Sequence, residues 1–334
     1  MKKINIFYTA MIFLVFGLGG CSHDTETFDG PSLVDRFGPF RVISELEVSQ
    51  PTVDFAEDET VFFTAEFNKN VEWILEITGS VSGSVKRFEG FSNVVDASNA
   101  TWNGGTTELP FFKNEVCNVT LTIPEETEFM GTTTVEALSG RNYPGSLFTG
   151  FEQELSGVDV FVGNFEFELV AGVRTDNPAE GDSYYIMEGT DNVVPNFFVG
   201  LVDFKASLLG TNYIQFPTTV PEDLFFNCFM LSDAGPHGLA IIDFWVDRND
   251  NGTFEEGPDQ NFRVAEDYNL ATWEGWNHIN HPMSDTGITQ EDLEKVVAIR
   301  LLLISDMNGQ PNPPLQVDFG IDFMTFTAGG PLEL

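Results

Sequence analysis

The stretch IIDFWVDRNDNGTFEE, Ile241 to Glu256, decides how the rest of the chain is read. Side chains alternate along an extended backbone, so Ile242, Phe244 and Val246 point to one side while Asp243, Trp245 and Asp247 point to the other. The first set is a core face. The second, an indole between two carboxylates, is a surface able to stack a sugar ring and accept hydrogen bonds from its hydroxyls. The competing reading is that a second layer buries Trp245 and leaves the two Asp at its margin. Beyond the strand, RNDNG is a turn, because Asn251-Gly252 tolerates the positive φ angles of a tight hairpin. Asp247, Asn249, Asn251 and Glu255 also fall at positions 1, 3, 5 and 9 of an oxygen-rich calcium loop, with Gly252 at 6, but position 12 is Pro258 rather than a bidentate Glu. A plain hairpin is the first reading and a calcium loop the second.

The same alternation recurs upstream. From about Phe40 to Ser139 the chain reads as short strands between Gly, Asn, Ser and Pro clusters, without a helical period. TVFFTAEF places Val61, Phe63, Ala65 and Phe67 on one face, and VEWILEIT does the same with Val71, Trp73, Leu75 and Ile77; both read as half-buried antiparallel strands. Trp73 is assigned to the core, and Trp102, in the Gly-rich turn TWNGG, to the surface. Cys117 shares an apolar face with Val119, Leu121 and Ile123, and Cys228 with Phe226 and Met230, so both are expected as buried free thiols with no disulfide. A core Trp followed by a core Cys resembles the immunoglobulin sandwich without its second Cys. WILEITGSVSGSVKRFEG followed by TWNGG is similar to the immunoglobulin-like module of flagellar hook-capping proteins, over about seventy residues, a likeness that bears on fold and not activity.

Composition narrows the function. The 334 residues carry 52 Asp+Glu against 15 Lys+Arg, a net charge of −37. Nucleic acid is excluded as a partner, and neutral glycans are favoured over uronate-rich or sulfated ones, which this field repels. Acidity also serves solubility. Lys2-Lys3, an apolar run from Ile4 to Leu18 too short for a comfortable span, and LGGC at Leu18–Cys21 resemble a bacterial lipoprotein leader. The resemblance implies a signal peptide over residues 1–20, lipidation of Cys21, and attachment to the outer membrane at the cell surface through the lipid anchor only. The acidic tract SHDTETFD then looks like the tether, residues 21–39, of a surface lipoprotein of the Bacteroidota type.

GRNYPGSLFTG, residues 140–150, has the Gly and Pro spacing of a linker between a domain at 40–139 and one at 151–329. In the second domain VGNFEFELV offers Phe165, Phe167 and Leu169 inward and Glu166 and Glu168 outward. QVDFGIDFMTFT offers Val317, Phe319, Ile321 and Phe323 inward, with Asp318 and Asp322 outward. A helix signal occurs in TQEDLEKVVAIR, capped by Thr289 with Asp292 close behind. TWEGWNHINHP puts Trp273 and Trp276 in a polar loop, a common site for binding residues. FEQ at Phe151, EGDSYYIMEG at Glu180–Gly189 and the final QVDFGIDFMTFT resemble the strands of galactose-binding-like jelly rolls, a fold shared by many carbohydrate-binding modules. That resemblance implies a structural calcium held by Glu152 and Asp322, against the plain reading of two solvated carboxylates.

The fold class expected is therefore all-β, an immunoglobulin-like β-sandwich followed by a jelly-roll β-sandwich. The turn, the Trp loop and the closing strand together resemble surface glycan-binding lipoproteins encoded beside polysaccharide-uptake systems of the starch-utilisation type. The resemblance implies a non-catalytic protein that binds a neutral polysaccharide and hands it to an outer-membrane transporter complex. Trp245, Trp273 and Trp276 would form the platform, with Asp243 and Asp247 as acceptors. No phosphate loop, G-x-S-x-G elbow or CxxC pair occurs in a supporting context, and His278 and His281 read as a polar turn before Pro282. With 52 acidic residues, any two carboxylates can be nominated as a glycosidase pair, so a glycan hydrolase or lyase stays open, as does a structural or adhesive surface protein.

Overall fold

In the computed structural model, residues 38–152, 159–162, 169–192, 198–233, 239–269, 273–304 and 315–334 are described. The expected leader, Cys21, the expected tether up to residue 37, and Phe165, Glu166, Phe167 and Glu168 lie outside them. The chain is all-β, an immunoglobulin-like sandwich followed by a jelly-roll sandwich.

The first sandwich comprises β1 (Val42–Val48), β2 (Thr52–Asp54), β3 (Val61–Gly79), β4 (Val85–Val95), β5 (Thr101–Trp102), β6 (Glu115–Thr122) and β7 (Met130–Ser139). TVFFTAEF and VEWILEIT are not two strands but one, the 19-residue β3, and its inward positions keep period two from Val61 to Gly79. The intervening NKN looked like a break because it is polar. In the fold Lys69 takes an inward position and its ammonium meets Glu126 at 3.2 Å, which lets the strand continue. Because β3 is so long, its first half pairs with β1 and its second half with β4 and β6, and the sheet folds around a core that includes Phe63, Phe67, Trp73 and Val119. Trp102 corrects its surface assignment. It is fully buried, donates Nε1 to the Gly105 carbonyl at 2.8 Å, and packs edge-on between Phe55 and Phe112. The Gly-rich turn wraps the indole, and a Cβ at Gly104 would stand 2.6 Å from the Phe55 ring.

The second sandwich contains β8 (Ser146–Thr149), β9 (Asp159–Val162), β10 (Leu169–Arg174), β11 (Tyr184–Asn192), β12 (Phe198–Lys205), β13 (Leu224–Asp233), β14 (Leu239–Val246), β15 (Gln260–Asn269), β16 (Glu274–Pro282), α1 (Gln290–Leu293), β17 (Val296–Ile304) and β18 (Leu315–Ala328). Its sheets run β10-β11-β18-β13-β16, with β8 on β18, and β15-β14-β17-β12-β9. Phe204, Phe244 and Leu301 from one sheet meet Phe226, Phe319 and Phe326 from the other in a single core. α1 is the capped turn expected, with Thr289 and Asp292 forming a reciprocal capping box. Cys117 and Cys228 are buried and free, and burial pushes the Cys117 thiol up to about 12.

The expected linker instead contributes β8 to the second sandwich. Phe111 of the first sandwich, Tyr143 of the crossing segment, and Phe229, Phe323 and Leu332 of the second form a shared aromatic junction. Phe323 reaches it because the β13–β18 register slips between Asn227 and Phe229, where Phe323 takes φ +45°. Sequence alternation had placed Phe323 in the sandwich core; the bulge gives that place to Met324.

Candidate functional site

The outward face of β15-β14-β17-β12 carries the most organised polar surface of the second sandwich. Register sets Asp203 opposite Arg300, Arg300 opposite Asp243, and Asp243 opposite Arg263, an alternating rank of charge across four strands. Arg300 donates Nε and Nη2 to the two oxygens of Asp203 at 2.6 and 2.7 Å. Arg263 donates Nε to Asp243 at 2.6 Å. Both carboxylates are buried beneath their partners, and a forked Arg holds a carboxylate in one orientation.

Two residues along each strand, the next rank on this face reads Lys205, Ala298, Trp245 and Asn261. Ala298 is small, so a notch opens over it between Lys205 and Trp245, two strand spacings or about 10 Å apart. Ser207, Thr211 and Asn212 extend the Lys205 wall; Thr253 and Phe254, from the β14–β15 hairpin, extend the Trp245 wall. The cleft encloses about 300 Å³. Hydroxyl, amide, ammonium and aromatic groups thus surround an apolar floor.

Trp245 faces outward, as its alternation requires, and is half-buried. The Arg300 guanidinium lies 3.4 Å from the centre of its ring and the Phe254 ring centre 3.9 Å away, tilted by 35°. Two groups this close to one ring centre cannot share a face, so the indole is held between them. Asp243 and Asp247, expected as acceptors for ligand, are already engaged. Asp243 serves Arg263; Asp247, fully buried, accepts the Asn251 and Gly252 N–H groups at 3.2 and 2.6 Å and the Tyr213 hydroxyl at 3.3 Å.

Trp273 and Trp276 do not join Trp245. Trp273 packs partly buried against the sandwich core. Trp276 lies on β16 in the opposite sheet, beside the junction cluster; it donates Nε1 to the Asn177 carbonyl at 2.8 Å and meets Tyr184 edge-on. The three indoles therefore form no common platform. Arg300, Asp203 and Arg263 went unnoticed in the sequence. The available signal was an Arg inside the apolar run VVAIRLLLI, in the same outward phase as Trp245's strand.

In the hairpin, the calcium-loop oxygens bind the turn itself. The Asn249 side-chain oxygen accepts the Asn251 N–H, the Asn251 oxygen accepts Thr253, and the Asn249 amide donates to Glu255 at 3.1 Å. Lys295 stands 3.2 Å from Asp250. The loop is built as a hydrogen-bonded hairpin. At the other expected site, Asp322 is buried, not solvated. It accepts N–H groups from Ala179, Glu180 and Phe323 at 2.9, 2.9 and 2.7 Å, and burial still holds its carboxyl well above the usual range. Glu152 accepts the Asp182 and Ser183 N–H groups. Glu180 adjoins both, and burial followed by repulsion from Glu152 raises it to about 7. Among the described residues, no three His, Cys, Asp or Glu side chains are arranged as they stand to hold a metal ion.

No family profile matches the chain, and no curated protein matches it. Solved structures of loosely similar shape include a carbohydrate-binding module of the β-sandwich superfamily, 12% identical over 86% of this chain and 97% of that one, TM-score 0.37. Another is SGBP-B from a complex xyloglucan utilization locus in Bacteroides uniformis, 11% identical over 85% and 73%, TM-score 0.31. A third is the CBM22-1 xylan-binding domain of Paenibacillus barcinonensis Xyn10C, 13% identical over 57% and 99%, TM-score 0.31. Likenesses this distant bear on neither ligand nor mechanism.

Proposed function

We propose that this chain is a non-catalytic, lipid-anchored protein of the outer-membrane surface that binds a neutral polysaccharide in the Ala298 cleft and passes it to a neighbouring transporter. The observation that carries the reading is the cleft itself. Hydroxyl, amide and ammonium groups line a small apolar floor beside aromatic rings, which is the chemistry a sugar requires on its rim and on its ring faces. The carboxylates of that face, Asp203 and Asp243, are each tied to an Arg, an arrangement that positions groups and does not move protons. A net charge of −37 favours an uncharged ligand. The lipobox-like LGGC supports the anchor and the cell-surface location. Calcium belongs to the same proposal, at Glu152 and Asp322 as the jelly-roll resemblance implies.

The test is native affinity electrophoresis through gels containing soluble neutral polysaccharides, run beside a reducing-sugar assay on the same glycans. Retardation by at least one glycan without release of reducing ends is the expected result. Release of reducing ends would establish the hydrolase alternative, and migration unchanged by every glycan would remove the proposal.

A further inference from the structure

The stack Arg300–Trp245–Phe254 leaves the indole with no open face, although Trp245 borders the cleft. Phe254 is the outer layer of that stack. One of its faces rests on Trp245, and the residue also lines the cleft that Ala298 lines. We infer that Phe254 is the surface on which a sugar ring stacks, and that Trp245 and Arg300 position it. This rests on the glycan-binding reading above and narrows it.

The hairpin holds Phe254 from both sides. Thr253 donates its N–H to the Asn251 side-chain oxygen at 2.9 Å, and Glu255 donates its N–H to Asp259 at 2.7 Å. Asp259 also takes the Arg248 N–H at 2.8 Å, and Asp247 takes those of Asn251 and Gly252, so the loop is fixed at both ends. Beneath, Trp245 cannot tilt, because Arg300 lies on its far face and is itself clamped by both oxygens of Asp203. An aromatic ring pre-set in this way loses little freedom when a ligand settles on it.

The two walls match the two aspects of a sugar. A pyranose face bearing axial C–H groups suits the negative face of an aromatic ring, and equatorial hydroxyls point outward around the rim. Across the notch, Lys205, Ser207, Thr211 and Asn212 supply donors and acceptors at that rim.

Isothermal titration of the folded protein with soluble gluco-, xylo-, manno- and galacto-oligosaccharides of β-1,4 linkage tests the inference. The tightest-binding of the four serves as the probe for the variants. Phe254→Ala should weaken that binding tenfold or more, Phe254→Leu nearly as much despite keeping the apolar bulk, and Phe254→Tyr little. If Trp245 acts only by positioning, Trp245→Leu should weaken wild type yet cause no further loss in the Phe254→Ala background. Wild-type affinity in Phe254→Leu would overturn the inference while leaving glycan binding intact. Failure of the unaltered protein to bind these four and every glycan of the electrophoresis panel would overturn both readings.

Discussion

Two glutamates, one in each sandwich, are drawn into the protein and are treated oppositely. Glu115, at the start of β6, is buried beneath the turn between β3 and β4. Its Oε2 accepts N–H groups of Val81 and Ser82 at 2.6 and 3.0 Å, and its Oε1 accepts the Ser82 hydroxyl at 2.5 Å and the Lys113 N–H at 3.0 Å. Burial alone would raise its pKa, but the Ser82 hydroxyl and the backbone donors outweigh burial and lower it. Glu180 meets burial with other carboxylates around it, and only Lys113 works in its favour; its pKa rises to about 7. Burial penalises the charge equally in principle. What decides the outcome is the supply of donors aimed at the oxygens.

The largest effect should come from removing the acceptor that is well served. Glu115→Ala strands the Val81, Ser82 and Lys113 N–H groups, and about 3 kcal/mol of stability should go with it, since each buried unpaired donor costs ~1 kcal/mol or more. Urea unfolding followed by circular dichroism checks this; a loss below about 1 kcal/mol would show that water replaces the carboxylate freely.

Glu180 should respond in the other direction. Its folded pKa lies above the ordinary glutamate value of 4.5, so its contribution is fully present below pH 4.5 and is lost as pH rises through about 7. Glu115, with a lowered pKa, contributes above its unfolded value and loses that contribution as pH falls. Between pH 5 and 8 the second sandwich should therefore lose about 2 kcal/mol through Glu180, and Glu180→Gln should flatten that slope. Calcium bound at Glu152 and Asp322 should shrink the same loss in wild type, and melts identical with saturating calcium and with chelator would remove that site. Calorimetric melts across this range decide the matter, and a wild-type slope no steeper than that of Glu180→Gln would place the ionisation elsewhere.

The smallest effect belongs to the nearby surface pair. Lys113 and Asp182 approach to only 3.8 Å and Asp182 is almost fully exposed; Asp182→Asn should change stability by less than about 0.5 kcal/mol. A larger loss would mean that Asp182 belongs with the buried carboxylates after all.

Period two was enough to read the strands from sequence. Val71, Trp73, Leu75 and Ile77 face the core, as do Ile242, Phe244 and Val246, because each strand has one dry side. The alternation failed where a long-range partner overrode it. Lys69 points inward because Glu126, far along the chain, meets it; Phe323 leaves the core because a bulge turns it toward Phe111 and Phe229. The outward phase of Trp245 was legible, but its enclosure was not, since Arg300 comes from β17 and is 55 residues distant in sequence. Asp243 and Asp247 looked available because their partners, Arg263 and the turn N–H groups, are identified only by register and loop geometry. A carboxylate's type is written in the sequence; whether it is already spent is a property of its neighbours.

The placement of the five Trp divides the protein optically. Trp73 and Trp102 are sealed in the first sandwich, whereas Trp245, Trp273 and Trp276 of the second are only half-buried. Intrinsic emission is accordingly a sum of two populations: one shielded from acrylamide, with a blue-shifted maximum, and one within its reach. Among the second group, Trp245 lies in contact with a guanidinium and a phenyl ring, so its excited state feels a cation on one face and a polarisable ring on the other. The chain thus carries a built-in reference and a built-in reporter, and a change in quenching confined to the accessible fraction reads the second sandwich without any label.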